Sequence, residues 1–157
     1  MTDLATIDFN NLPAGITRLD VAEAWIIANG GGIEPDWANP VLAPVVHRFT
    51  PGLYSREIYM VAGSVLTSRR HRHEHPFVIL QGRVSVFNEA DNTAVELSAP
   101  YHGTTPAGTK RLLFIHEDTI WTTFHPTDIT DMGELEAFLF DDRPNPMLAA
   151  PLEIRHE

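Results

Sequence analysis

The segment SRRHRHEHPFVILQG, residues 68–82, concentrates side chains that could bind a metal ion. Its three histidines are His71, His73 and His75, and neutral imidazole is the commonest side-chain ligand for transition metals. Residues two apart on a strand share one face, so these imidazoles would point the same way, with Arg69 beside them. The pattern predicts either a site for one divalent transition metal (zinc, iron, manganese or nickel) or a polar strand whose histidines hydrogen-bond to neighbouring carboxylates.

The geometry of a strand limits how many of these histidines can hold one ion. Residues two apart lie ~6.6 Å from each other and residues four apart ~13 Å, whereas a Zn–N bond is only ~2.0–2.1 Å long. Three ligands from this segment require the chain to bend after Glu74, which Pro76 favours. An H-x-H pair from this segment can bind one ion, and a histidine from elsewhere could complete the site. The candidates elsewhere are His102, His116 and His125.

The segment GTKRLLFIHEDTIWTTFH, residues 108–125, carries a second group of polar candidates. The planar guanidinium of Arg111 suits a carboxylate or phosphate, so Arg111 could bind an anionic ligand inside a barrel; alternatively, it pairs with a nearby acid. His125 shares a strand face with polar Thr123, where a histidine either contacts a ligand or serves as hydrogen-bonded structure. Arg69, Arg111 and His125 are therefore the candidate ligand-binding residues. No catalytic residue is predicted, because the sequence lacks a nucleophile elbow, a phosphate-binding glycine loop and a clear acid–base carboxylate pair.

The composition excludes several classes of function. With 157 residues the chain fits one domain, and its net charge of −10 disfavours binding to nucleic acids or to anionic membranes. It has no cysteine, so disulfides, thiolate catalysis and cysteine-based zinc or iron–sulfur sites are excluded. The first residues, MTDLATIDFNNLPAG, show no secretory signal, and no apolar run approaches the ~18 residues of a membrane span. We expect a protein that stays in the cytoplasm where it is made, or that joins an assembly formed there.

The pattern of residues 45–125 predicts the elements that position these side chains. Runs rich in β-branched, leucine and aromatic residues alternate with turn residues, which indicates about eight strands. They are VVHRF, SREIYMV, SVLTSRRH, PFVILQG, RVSVF, TAVEL, RLLFIH and IWTTFH. This spacing is typical of an all-β sandwich or barrel.

The two ends of the chain are predicted to be less regular. TRLDVAEAWIIANGGG predicts a short helix, with capping-box spacing between Thr17 and Asp20 and a shared face for Val21 and Trp25. TDMGELEAFLF predicts a second helix with Thr130 as its N-cap. IEPDWANPVLAP and DDRPNPMLAAPLEIRHE, each with three prolines, predict an extended linker and an extended tail. The predicted division is an arm, helix and linker over 1–44, a β-barrel over 45–126, and a helix and tail over 127–157.

The order of these strands and motifs resembles the cupin superfamily. Its first motif is G-x5-H-x-H-x3,4-E-x6-G, which Gly63 and Gly82 fit, and its second is G-x5-P-x-G-x2-H-x3-N, which Pro106 and Gly108 fit. The resemblance covers about half of the chain, roughly residues 53–125. It implies a mainly β fold: a single cupin-like double-stranded β-helix, or jelly-roll barrel, with a short helix near each end and extended termini.

The spacing of the motifs assigns residues to the ligand positions of that family. Counted back from Gly82, His75 falls at the glutamate position, His71 at the second histidine position and Arg69 at the first. Counted forward from the second-motif glycine, Arg111 falls at the remaining histidine position. Arginine has no acceptor lone pair and does not bind a cation. Two of the four ligand positions therefore cannot hold the metal that the resemblance would otherwise imply.

A longer pattern, HRHEHPFVILQGRVSV followed by GTKRLLFIHEDTIWTTFHPT, resembles small cupin-like proteins encoded by tailed phages and prophages. This resemblance implies a non-enzymatic component of a virion or of its assembly, a homo-oligomer that contacts other phage structural proteins. Its location would be the host cytoplasm and the virion. The alternative is a metal-dependent small-molecule enzyme of the isomerase or oxygenase type that uses the histidine cluster. A weaker alternative is a sugar- or metabolite-binding module without metal.

Overall fold

The structure, a computed structural model, describes residues 8, 10–29, 32–33 and 44–149. Most of the predicted linker and the last part of the predicted tail lie outside these residues. Within the described part of the chain, no helix is long and apolar enough to cross a membrane.

Two five-stranded sheets form the body of the fold. The strands are β1 Gly32–Ile33, β2 Val45–Thr50, β3 Leu53–Met60, β4 Val65–Thr67, β5 His75–Gln81, β6 Arg83–Asn88, β7 Thr93–Ser98, β8 Tyr101–Thr105, β9 Arg111–Ile115 and β10 Thr119–His125. One sheet has the order β1-β4-β9-β6-β7 and the other β2-β3-β10-β5-β8. Among the described strands, β1 and β4 pair in parallel and the other pairs are antiparallel. The predicted mainly β jelly-roll fold is therefore confirmed.

The core lies between the two sheets, because successive residues of a strand alternate between its faces. In β3 the buried positions are Tyr54, Arg56, Ile58 and Met60, separated by less buried residues. The apolar core combines inward-facing residues of both sheets: Ile58, Met60, Leu66, Phe77, Ile79, Val84, Val86, Leu113, Ile115 and Trp121. Each large side chain in such a core contributes about 1.5–3 kcal/mol through burial. Tyr54 and Arg56 continue the buried row of β3 toward the end of the barrel where polar residues gather.

The histidine segment departs from the strand that the sequence predicted. Between β4 and β5 the chain is irregular over residues 68–74, apart from an isolated bridge between His71 and Phe140. Arg70 and Arg72 hydrogen-bond through their backbone to residues 139–141 near the C-terminus, with donor–acceptor distances of 2.8 Å, while Ser68 and His71 bond to residues 108–111 at the start of β9. The expectation that the polar residues of this segment share one strand face is therefore wrong, because strand geometry does not extend through residues 68–74.

Strand β8 was not predicted, because its surroundings, SAPYHGTTPAG, have the composition of a turn. It pairs with β5, and Gly103 lies opposite Phe77. A Cβ at Gly103 would lie 3.0 Å from the tip of the Phe77 ring. Gly103 therefore leaves room for the Phe77 ring to pack across the strand pair. From the local sequence, a glycine with this role looks the same as a glycine in a turn.

Both predicted helices form. Helix α1 spans Arg18–Ala28 and begins with the predicted capping box. Its buried face carries Leu19, Glu23 and Ile26, which are three to four residues apart as an amphipathic helix requires. Trp25 is 39% exposed whereas Val21 is 3% exposed, so the face predicted to contain both packs on the protein only at Val21.

Helix α2 spans Met132–Leu139 and is capped by Asp131, whose carboxylate accepts a hydrogen bond from the Glu134 N–H at 2.9 Å. The N-cap is thus one residue later than the predicted Thr130. A short helix, α3, follows at Pro146–Ala149. A second apolar cluster packs α2 against the barrel, and its buried members are Tyr54, Leu135, Leu139 and Phe140.

Gly82 joins β5 to β6 with a left-handed φ of +99° and lies against the turn that precedes β10. A Cβ there would lie 2.5 Å from the Asp118 carbonyl oxygen and 2.8 Å from Thr119 Cα. We predict that Gly82→Ala lowers the free energy of unfolding by about 3 kcal/mol, through left-handed strain and overpacking together. Urea denaturation measures the change.

The matched control is Gly63→Ala, which has a similar φ of +85° but nothing within 4 Å of the added Cβ. Gly63→Ala should lower the free energy of unfolding only by the backbone strain, about 1–2 kcal/mol. If both variants lost the same free energy of unfolding, the close contact of Gly82 with Asp118 and Thr119 would have no energetic consequence.

Candidate metal centre

Three buried histidines converge at one end of the barrel: His71, His75 and His125. Each offers one ring nitrogen, and the three nitrogens lie within 4.8 Å of one another. The residues are only 6%, 2% and 2% exposed, respectively. The ring centroids of His71 and His75 are 4.3 Å apart, and those of His75 and His125 are 4.6 Å apart. Such a group is the arrangement that a metal ion with nitrogen ligands needs.

Strand register brings two of these rings together. Strands β5 and β10 are antiparallel, with Thr123 opposite Phe77. Continuing that register by two residues places His125 opposite His75, and directly opposed residues of neighbouring strands point to the same face. The Thr123 hydroxyl lies 2.9 Å from His125 Nε2 and helps to hold that ring.

His71 reaches the same place from the irregular segment between β4 and β5. Its carbonyl accepts a hydrogen bond from the Gly108 N–H at 2.7 Å, and its ring packs edge-on against Phe140 with centroids 4.9 Å apart. Gly108 belongs to the turn before β9, and Phe140 follows α2. Two parts of the chain that are distant in sequence therefore fix the position of this ring.

Hydrogen bonds to backbone groups orient two of the rings. His75 Nδ1 lies 3.0 Å from the His73 carbonyl oxygen, which can only accept, so Nδ1 donates and Nε2 of the neutral ring carries the lone pair. The His71 ring hydrogen-bonds to the backbone of Arg69, while its Nε2 is buried without a hydrogen-bond partner among the described residues. An outer hydrogen bond that leaves the second nitrogen available is the usual way in which a protein orients a histidine ligand.

Burial is the main reason that the pKa of His71 lies well below its ordinary value of 6.5. The charges of His75, Arg56 and Arg111 lower that pKa further, and the hydrogen bond to the Arg69 backbone opposes the shift. The ring is therefore neutral at physiological pH. Neutral imidazole is the form that binds metals.

The residues present fit a divalent transition metal. Two nitrogens bound to one ion at about 2.1 Å lie at most roughly 4.2 Å apart, so separations within 4.8 Å close with small ring rotations. Buried polar atoms nearly always have a partner. A metal would supply the partner that His71 Nε2 lacks within the described part of the chain.

A cavity of about 40 Å³ adjoins the histidines, and His71, His75 and Arg111 form its polar wall. Apolar residues form most of the rest, namely Ile58, Met60, Leu66, Leu113 and Trp121. Hydroxyl groups come from Ser68, Thr105 and Thr123. The described lining contains no aspartate or glutamate. A molecule in this cavity would meet imidazoles and one cation on one side and hydrocarbon on the other.

Arg111 lines the cavity without an ion-pair partner. Its Nε donates to Asn88 Oδ1 at 2.9 Å, and its Cζ lies 5.3 Å from the Phe77 ring centroid. Among the described residues, no carboxylate lies within ion-pair distance of the guanidinium. Burial lowers the pKa of Arg111, and the charges of Tyr101 and Asp91 oppose this. The guanidinium still carries its charge at neutral pH.

Arg69 and His73, two of the candidates from the sequence, do not line the cavity. The Arg69 guanidinium donates to Glu136 at 3.1 Å and to Asp142 at 2.8 Å, so two carboxylates draw it toward the C-terminal segment. His73 is exposed, and its ring stacks on Phe138 with centroids 4.5 Å apart. The structure therefore does not bring Arg69 and His73 together with the three buried histidines, and their expected roles in binding stay predictions.

His125, expected either as a ligand-binding residue or as a further metal ligand, belongs to the group of three histidines that could hold an ion. The other two histidines considered as a further ligand lie elsewhere: His102 is exposed on β8, and His116 lies 2.6 Å from the Ser85 hydroxyl. Period-two spacing from Thr123 indicated that His125 faces a polar side of its strand. The pairing with β5, which the sequence does not specify, decides which histidine it meets.

No protein-family model matches this chain, and no curated protein matches it in sequence. Solved structures do match. Salicylate 1,2-dioxygenase from Pseudoaminobacter salicylatoxidans is 14% identical, with a TM-score of 0.51, over 78% of this chain and 33% of that one. The Schizosaccharomyces pombe Cnp3 cupin domain is 19% identical, with a TM-score of 0.45, over 62% of this chain and 71% of that one.

An HTH_3 family transcriptional regulator from Vibrio cholerae is 17% identical, with a TM-score of 0.47, over 60% of this chain and 56% of that one. The match thus spans about a third of the dioxygenase chain and about half of the regulator chain. At these identities the likeness concerns the fold alone. The two-sheet fold of this chain is therefore one that it shares with part of the dioxygenase.

Proposed function

We propose that this protein binds one divalent transition metal through His71, His75 and His125 and uses it to act on a small molecule in the adjoining cavity. One observation carries the proposal: His71 Nε2 is buried, lacks a partner among the described residues, and belongs to a group of three imidazoles within reach of one ion. Three protein ligands leave coordination positions open, which is typical of catalytic metal sites. A metal-dependent small-molecule enzyme is therefore the function that this geometry supports best.

Different described residues would have different roles in such a site. A bound ion would supply Lewis-acid or redox chemistry. Backbone carbonyls orient the rings of His71 and His75, which fixes the direction from which a ligand can approach. The apolar wall, with Trp121 and Leu113 among its members, keeps bulk water away from the imidazoles. Where water is excluded, electrostatic interactions become stronger.

Metal analysis of the native protein tests this proposal. We expect tag-free protein, purified without chelators, to contain about one transition-metal ion per chain, because three histidines define a single site. Dialysis against a chelator should lower its unfolding temperature, and restoring the ion should raise it again, since a ligand that binds only the folded state stabilises that state. Protein that carries no metal, and that zinc, iron, manganese and nickel all fail to stabilise, would contradict the proposal.

The non-enzymatic role in a phage particle, with homo-oligomerisation and contacts to other phage proteins, stays a prediction from sequence resemblance. Neither the described contacts nor the structural matches bear on it. Co-purification of the chain with intact particles in amounts set by the particle symmetry is the result that would support it.

A further inference from the structure

We propose that Arg111 anchors a small carboxylate in the cavity, with the carboxylate between its guanidinium and the imidazoles of His71 and His75; this substrate class rests on the proposed metal function. The planar fork of arginine matches the two oxygens of a carboxylate. Arg111 would then be the residue that selects the substrate, whereas the histidines would hold the metal.

The charge of the site calls for an anion. Three neutral imidazoles leave the charge of a divalent ion uncompensated, and Arg111 adds a further positive charge. Neither aspartate nor glutamate is among the described residues that line the cavity. Asp91 acts electrostatically on Arg111 from outside that lining. Unpaired charges inside a protein are costly, so an anionic ligand would bring the compensation that the protein does not provide.

Arg111 is held in position with donors to spare. Asn88 accepts from Nε at 2.9 Å, which fixes the guanidinium plane beside the cavity. Its two terminal nitrogens make no hydrogen bond to any described residue. The contrast with Arg69 and Arg70 is direct, because both of those guanidinium groups are ion-paired to carboxylates. Described carboxylates thus pair with Arg69 and Arg70, whereas the terminal nitrogens of Arg111 remain available to a ligand in the cavity.

The size and lining of the cavity limit the rest of the molecule. A volume of about 40 Å³ is roughly three times what a single water molecule needs. Beyond the carboxylate, this volume suits a short chain. The apolar side chains of Ile58, Met60 and Leu113 face that space, so the chain would be hydrocarbon for the most part. The ligand class is therefore a short-chain carboxylate.

Isothermal titration calorimetry on the full chain, both metal-free and zinc-loaded, tests this inference. The probes are propionate, its neutral analogue propionamide, the longer hexanoate and inorganic phosphate. We expect propionate to bind both forms, more tightly when zinc is present, and we expect propionamide and hexanoate not to bind. Arg111→Gln should weaken propionate binding by about 10- to 100-fold in both forms, as expected for losing a charge-assisted hydrogen bond.

Arg48→Gln is the matched control, because it removes an arginine that pairs with Glu57 at the surface and does not line the cavity. It should leave propionate binding unchanged. Equal affinities for propionate and propionamide, tighter binding of phosphate than of carboxylates, or full affinity in Arg111→Gln would overturn the inference. The comparison of propionate with propionamide needs no variant, so it decides the matter even if Arg111→Gln does not fold. If the protein takes up no metal, the proposed function is wrong. The titrations of the metal-free protein still test whether Arg111 binds a carboxylate.

Discussion

Replacing His71 with alanine is expected to weaken the binding of a divalent metal by more than about 100-fold, because even an outer-shell partner of a metal ligand accounts for 10- to 100-fold in affinity. His71 is the most informative of the three ligands to remove. Its Nε2 has no partner among the described residues, so the substitution removes a ligand atom without breaking a contact made by that atom. Competition against a chromophoric zinc chelator measures the dissociation constant. His75→Ala and His125→Ala should give losses of similar size.

His73→Ala is the matched control for this series. It removes an imidazole from the same segment, but that ring is exposed and lies outside the group of three. Metal affinity should not change. A loss in His73→Ala as large as that in His71→Ala would place the ion at the exposed histidines and would refute the buried site.

Adding metal should also separate the variants by their stability. A ligand that binds the folded state raises the unfolding temperature by an amount that depends on its affinity and concentration. Zinc should therefore raise the unfolding temperature of the parent protein and of His73→Ala, but not that of His71→Ala. If zinc stabilised all three equally, the gain would come from some other site.

Part of this site could be predicted from the resemblance to the first cupin motif. Counted back from Gly82, that motif places His71 and His75 at ligand positions, and both lie in the cluster. His125 could not be assigned in the same way. Its meeting with His75 depends on the register between β5 and β10, strands that are separated by a long stretch of chain. Such a pairing follows from the packing of the whole sheet and has no local signal.

The directions of the Arg69 and His73 side chains differ from those expected for another physical reason. Treating residues 68–75 as one regular strand gave every second residue the same direction. The chain instead hydrogen-bonds to residues 139–141, and the ion pairs of Arg69 with Glu136 and Asp142 face the same C-terminal segment. These partners lie far away in sequence and have no recognisable spacing relative to the motif. The residue types therefore indicated which side chains could bind a metal or an anion, but tertiary contacts decide where those side chains point.

Glu23 of α1 shows the same limit, since nothing in its sequence surroundings marks it as buried. It is 2% exposed, and its carboxylate lies 2.7 Å from the Lys110 ammonium. The Thr67 hydroxyl and the Asn145 amide also donate to it, the latter at 3.0 Å. One side chain thereby connects α1, the end of β4, the turn before β9 and the segment that leads into α3.

We predict that Glu23→Gln lowers the free energy of unfolding by about 3 kcal/mol at pH 7, because breaking a buried ion pair leaves one charge uncompensated. The double variant Glu23→Gln/Lys110→Met should recover much of that loss, since it removes both charges. The matched control is Glu57→Gln, which breaks the surface pair with Arg48 and should cost less than about 1 kcal/mol. Urea denaturation of the four proteins measures these differences.

The effect of Glu23→Gln should also depend on pH. Burial by itself would raise the pKa of the Glu23 carboxyl, but hydrogen bonds from Lys110, Thr67 and Asn145 outweigh it and hold the pKa below its ordinary value of 4.5. A group whose pKa is lower in the folded state stabilises the protein above its unfolded-state pKa, and this stabilisation is lost as the pH falls through the folded-state pKa. The difference in stability between the parent protein and Glu23→Gln should therefore be constant from pH 7 down to about pH 5 and shrink below pH 4.5. A difference that stays constant down to the lowest pH at which the chain folds would show that the lost hydrogen-bond geometry, rather than the lost charge, accounts for the effect.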